Sequence, residues 1–232
     1  MIARSLEFVP AAAKAGEGLL WTYRERSGDP AFWAEPLNAA SNVSFLIAAA
    51  AGLMLARRRR ANSQASIALL ALAGTIGVGS FIFHTAPNAV TLWMDVVPIA
   101  TFQVLFLWLI ARHAFAQGRL MAAAFVCGIV GVSLSLLPLR EPLNGSLFYV
   151  PTLIGLLAVG VMWIERSPAE PFLLLAAALC FAAAVTARSI DWLVPWPFGT
   201  HFLWHLIDGV VVYLALRAWL VFAAAEPVEA EA

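Results

Sequence analysis

His201-Phe202-Leu203-Trp204-His205-Leu206-Ile207-Asp208-Gly209-Val210-Val211-Val212-Tyr213-Leu214 opens an apolar stretch that continues to Ala224, with Asp208 and Arg217 its only charged residues. Such a run exceeds the ~20 residues that a helix needs to cross about 30 Å of hydrocarbon. It reads as a membrane helix carrying two histidines at its start. Spacing of i and i+4 sets both imidazoles on one face, one turn apart. Ionisable groups inside a bilayer segment are costly and point to function.

Working outward, six more apolar runs appear, at about 38–56, 66–86, 92–111, 120–138, 147–164 and 171–188. Short polar breaks containing Pro or Gly separate most of them. The runs are continuous, so they are helices and not alternating barrel strands. The expected fold is an all-α membrane protein: a seven-transmembrane helical bundle over 1–232 as a single integral-membrane domain. Residues 1–35 form an N-terminal extramembrane segment and 225–232 an acidic C-terminal tail.

Composition agrees. The chain is 62% hydrophobic and 12% charged, against about 25% charged for a soluble domain. Formal net charge is zero, so nothing suggests nucleic acid. Met1 to Leu20 lacks the apolar core of a cleavable signal peptide. Cys127 and Cys180 both fall in apolar runs and suggest neither a disulfide nor a metal site.

Arg57-Arg58-Arg59-Arg60 ends the first run and marks the cytoplasmic side. Arg112, Arg119, Arg166 and Arg217 fall on that side too, whereas Arg4, Lys14, Arg24, Arg26, Arg140 and Arg188 do not. The N-terminus is then outside and the C-terminus cytoplasmic. The pattern fits a bacterial inner membrane, with the histidine site toward the non-cytoplasmic side. Trp93, Trp163, Trp192 and Trp196 read as interfacial belt residues.

With seven alternating spans, the end of the second and the starts of the third and seventh share one membrane side. His84 closes the second span, Asp95 opens the third, and His201 and His205 open the seventh. His113 belongs to the opposite face. Three neutral imidazoles can hold zinc and leave a fourth position for water, whose pKa the metal lowers to about 7. Asp95 can take that water's proton and later protonate a leaving amine. Ser80 lies one turn before His84 and offers a hydroxyl to the oxyanion formed when water attacks a carbonyl. Gly77 and Gly79 allow close helix approach there. Asp208 shares the histidine face, either orienting a ligand histidine or making a polar packing contact.

These segments carry a resemblance. Trp33-Ala34-Glu35-Pro36-Leu37-Asn38-Ala39-Ala40-Ser41-Asn42, Gly79-Ser80-Phe81-Ile82-Phe83-His84-Thr85, Asp95-Val96-Val97-Pro98 and Gly199-Thr200-His201-Phe202-Leu203-Trp204-His205 are similar to motifs of the alkaline ceramidase family. That family sits in a group of seven-span hydrolases that includes the adiponectin receptors. Coverage runs from about Trp21 to Leu220. The resemblance implies a zinc amidase that cleaves ceramide to a sphingoid base and a fatty acid. His84, His201 and His205 would be its ligands, with Ser80 and Asp95 the catalytic pair. The lipid substrate and the bilayer are the implied partners.

The resemblance also implies a calcium site, with Glu35, Glu25 and Asp29 as candidate ligands. Arg24 and Arg26 intrude on that stretch, and a guanidinium paired with Glu35 or Glu25 is the competing arrangement. Rival readings are a lipid ester hydrolase or remodeller with the same zinc chemistry, a receptor-like protein with a structural zinc, and a heme- or proton-handling membrane protein.

Overall fold

The computed structural model describes residues 15–115, 118–139, 142–166 and 170–225. The acidic tail from Glu226, the first fourteen residues and Arg140 lie outside the described residues. The described residues are helical and contain no strand. A short helix α1 (Ala15–Leu20) leads through an irregular segment to α2 (Pro36–Ser41) and α3 (Val43–Arg59). Then follow α4 (Gln64–Thr85), α5 (Ala89–Ala114), α6 (Arg119–Leu136), a 3-10 segment (Pro142–Tyr149), α7 (Val150–Arg166), α8 (Leu173–Ser189) and α9 (His201–Ala225). Asn42, between α2 and α3, keeps right-handed helical angles, so both helices act as one rod over Pro36–Arg59.

Six of these rods are long and apolar enough to cross a membrane. α8 is apolar but has 17 residues, which covers only ~25 Å at 1.5 Å per residue. It packs between α7 and α9, burying Leu174, Ala177, Ala178, Phe181 and Ala184.

Helix ends are closed locally. Ser63 accepts from the Ser66 N–H at the start of α4, and Asn88 with Thr91 forms a capping box at the start of α5. The four arginines end α3, where cations favour the helix C-terminus. Trp163 is fully buried and packs at 5.0 Å on Phe222, so it is a core residue and not a belt residue. Trp93 and Trp196 are exposed, as expected of a belt.

The α4–α5 pair positions the chemistry. Pro98 lies inside α5 and has no N–H to give the Met94 carbonyl one turn earlier. Gly79 of α4 packs on that carbonyl. A Cβ there would stand 2.0 Å from the Met94 oxygen, so no other residue fits without moving backbone. This contact sets Ser80, next to Gly79, beside Asp95, next to Met94.

Candidate metal centre

His84, at the C-terminal end of α4, meets His201 and His205, in the first turns of α9. One ligand atom from each lies within 4.8 Å of the others. Ring centroids are 5.2 Å apart for His84 and His201, 4.7 Å for His84 and His205, and 4.6 Å for His201 and His205. All three are buried. A buried polar atom without a partner is costly, and this small volume holds several. His84 Nε2, His201 Nδ1 and Asp95 Oδ1 have no hydrogen-bond partner. Three converging imidazoles, two of them with an unpartnered nitrogen, form a donor set that fits a divalent zinc-type ion.

Surrounding groups set the orientation of two rings. Glu35 Oε2 lies 2.6 Å from His84 Nδ1. A carboxylate only accepts, so Nδ1 carries the proton and Nε2 presents its lone pair to the cluster. Ser41 lies 2.8 Å from His205 Nδ1. Its own proton goes to the Asn38 carbonyl at 2.9 Å, so Ser41 Oγ accepts from His205 Nδ1–H. That again leaves Nε2 free. The motif around Glu35 thus has a structural meaning: Glu35 holds His84, Asn38 Nδ2 donates to Glu35 at 2.9 Å, and Ser41 holds His205.

His201 is held differently. Asp191 accepts from the N–H groups of Thr200 at 2.6 Å and His201 at 2.8 Å, closing the start of α9. Gly199 makes the turn between them at φ 61°, and a Cβ there would strike the same carboxylate at 2.2 Å. The Tyr23 ring stacks on His201 with centroids 3.6 Å apart. Burial pushes the Tyr23 hydroxyl above its ordinary range, so it stays protonated.

Ser80 and Asp95 are both buried, with the Ser80 side chain within hydrogen-bonding reach of the Asp95 carboxylate. Arg188 adds positive charge nearby and acts electrostatically on Asp95, Tyr23 and Tyr149. Its guanidinium lies 5.6 Å from the Tyr149 ring and 5.9 Å from Trp204. It donates to the Asn144 carbonyl at 2.7 Å and to Ser146 Oγ at 2.9 Å. Read from the sequence only as a basic residue on the non-cytoplasmic side, Arg188 sits in the last turn of α8 and belongs to the polar wall of the site. Asp208 is buried one turn beyond His205, but the group on His205 Nδ1 is Ser41. Asp208 instead lines a partly open apolar pocket with Phe45, Ile76, Phe102 and Phe106. His113 lies at the far end of α5 and packs on Phe222 at 4.6 Å.

The segment before the first span closes over the cluster. Arg26 is 2% exposed. Its Nε donates to Glu35 Oε1 at 2.5 Å, its Nη1 to the carbonyls of Asp29 and Ala31 at 2.8 and 2.9 Å, and its Nη2 to the His84 carbonyl at 2.7 Å. Glu25 accepts from the N–H groups of Leu37 and Asn38, both at 2.8 Å, and Asp29 accepts from Ala31 N–H at 2.8 Å. Calcium takes six to eight oxygens. Here the three carboxylates are committed to N–H donors and a guanidinium sits among the free oxygens, so these residues do not fit a calcium ion. The arrangement matches the competing guanidinium pairing read from Arg24 and Arg26.

The fold and the cluster define a helical membrane-type protein with a buried three-histidine centre. The family model described as Ceramidase matches residues 30–231, and the chain belongs to that family. No curated protein matches it. Membership implies a hydrolase acting on amides, with a lipid substrate.

Proposed function

We propose that this protein is a zinc-dependent amidohydrolase of the membrane, cleaving ceramide-like lipids to a sphingoid base and a fatty acid. The observation that carries the reading is the convergence of three buried histidines beside a carboxylate oxygen that has no partner. His84, His201 and His205 would hold the ion. When bound, zinc supplies a Lewis acid and a nucleophilic water near neutral pH.

The remaining work falls to side chains. Asp95 Oδ1 takes the proton of the attacking water. The Ser80 hydroxyl donates to the carbonyl oxygen as negative charge develops on it. The C–N bond then breaks, Asp95 returns its proton to the leaving nitrogen, and a carboxylic acid and an amine remain. The cavity below His205 is apolar apart from Asp208, Gln103 and Thr152 and suits an acyl chain.

We infer that α8 completes a seventh span. The N-terminus then lies outside and the C-terminus in the cytoplasm, because Arg57 to Arg60, Arg112 and Arg119 lie at helix ends remote from the histidines. The test is a purified, detergent-solubilised preparation assayed with a ceramide panel and by metal analysis. Amine release with about one zinc per chain supports the reading. Absence of release from every amide tested, or ester cleavage alone, sinks it. Reporter fusions at the two termini test the orientation.

A further inference from the structure

The notable cation beside the histidine cluster is part of the chain. Arg26 spans three pieces of structure at once: the Asp29–Ala31 turn, the start of the first rod at Glu35, and the last turn of α4 at His84. Its four hydrogen bonds end on four oxygens. Three are backbone carbonyls, and the fourth belongs to the carboxylate that holds His84 Nδ1. The His84 carbonyl lies at a helix end, where carbonyls lack intrahelical donors, so Arg26 satisfies it while tying Glu35 to the same residue. A guanidinium keeps its charge at every physiological pH and offers five donors in a fixed fork. It thus occupies the centre of an oxygen cage that would otherwise attract a hard cation.

We propose that Arg26 is the resident cation of this site, a positioning residue that fixes Glu35 on His84 and makes zinc loading independent of calcium. The proposal deepens the zinc-hydrolase reading, but its test reads metal content and melting temperature, neither of which requires amide cleavage. Removal of the guanidinium should leave an oxygen-only cage. Calcium accepts flexible oxygen sets at 2.3–2.6 Å, whereas magnesium demands near-octahedral geometry.

The experiment uses the full chain in detergent and calcium-depleted buffer containing limiting zinc. Zinc per chain and Tm are measured with and without millimolar CaCl₂ or MgCl₂. The unaltered protein should show the same zinc content and Tm in all three conditions. Arg26→Ala should bind zinc about tenfold more weakly and melt lower, with CaCl₂ but not MgCl₂ restoring both. Arg26→Lys should retain more zinc than Arg26→Ala and ignore calcium. Where Arg26→Ala does not accumulate, the unaltered protein and Arg26→Lys decide. A calcium-induced rise in Tm or zinc content of the unaltered protein overturns the proposal, as does full zinc affinity in Arg26→Ala or a calcium response in Arg26→Lys. So does an Arg26→Ala protein that folds and ignores calcium.

Discussion

Glu35 accepts the Nδ1 proton of His84 at 2.6 Å across 49 residues of sequence, and the same carboxylate takes Arg26 on its other oxygen. One side chain therefore fixes the tautomer of His84 and anchors the segment preceding the first long rod. Glu35→Gln removes the charge that pairs with Arg26. Breaking a buried pair costs about 3–5 kcal/mol, and loss of a histidine's outer partner weakens metal binding about 10–100-fold. Both a lower Tm and weaker zinc retention against a competing chelator are expected. Unchanged zinc affinity would show that the contact does not tune the ring.

Ser41 does the same for His205 with a neutral oxygen. Ser41→Ala should lower zinc affinity by about tenfold with a stability loss of only about 1–2 kcal/mol. Ser44 supplies the control. It donates to the His205 backbone carbonyl at 2.7 Å and does not touch the ring, so Ser44→Ala should leave zinc affinity unchanged. Equal zinc loss in both variants would point to general loosening of α9.

Asp95→Asn keeps the shape of the side chain and removes the proposed proton acceptor. Ceramide turnover should fall about 10²–10⁴-fold while zinc content stays that of the parent protein. Ser80→Ala should cost about 10²–10³-fold, again with zinc retained. Near-normal turnover in Asp95→Asn would assign the base to another group.

Gly79→Ala probes the helix contact that sets Ser80 beside Asp95. The new methyl meets a backbone oxygen, not a flexible side chain, so α4 and α5 must separate. Overpacking costs about 1–3 kcal/mol, and turnover should drop with Tm. At Gly74, on the same helix, a Cβ has nothing within 4 Å. Gly74→Ala should be neutral or stabilising by up to ~1 kcal/mol. A Gly79→Ala protein as stable and active as Gly74→Ala would refute the close approach.

Stability in acid should follow Glu35. Burial alone would raise its carboxyl, but hydrogen bonds from His84, Asn38 and Arg26 outweigh that and hold it below the ordinary 4.5. A depressed carboxylate contributes stability that is complete above its unfolded value and is lost as pH falls toward the folded one. Glu25 acts in the opposite sense. Burial raises its carboxyl despite the Leu37 and Asn38 N–H groups, so its cost appears as pH rises through 4.5. Thermal melts of the parent should drop below pH about 4.5, and those of Glu35→Gln should drop less. Identical acid profiles would remove Glu35 as the cause.

The spans were legible because lipid permits few solutions: a long apolar run must be a helix, and its ends must fall at polar breaks. The histidine triplet was legible for a related reason, since i, i+4 spacing and the expected alternation of the apolar runs pointed to His84, Asp95, His201 and His205 meeting at one end, and the three histidines do converge. The shortness of α8 was masked by apolar residues beside it, Pro171 and Phe172, which lie outside the helix. What holds the rings was not legible. Ser41 reaches His205 across 164 residues, and Asp191 closes α9 from ten residues upstream. Tyr23 sits in a stretch whose charges pointed to calcium. Such contacts depend on how separate helices meet and leave no periodic trace. Glu35 was singled out for calcium or for a guanidinium, and the guanidinium of Arg26 is the partner found; its hold on His84 left no trace in the sequence.

Tyr23, Arg26 and Glu35 all precede the first long rod. A shortened version beginning at Pro36 would retain all three imidazoles and every apolar helix. It would nevertheless lose the clasp joining the first rod to the fourth helix. Trimming at that boundary to improve expression would remove none of the three histidines and still release the ring of His84.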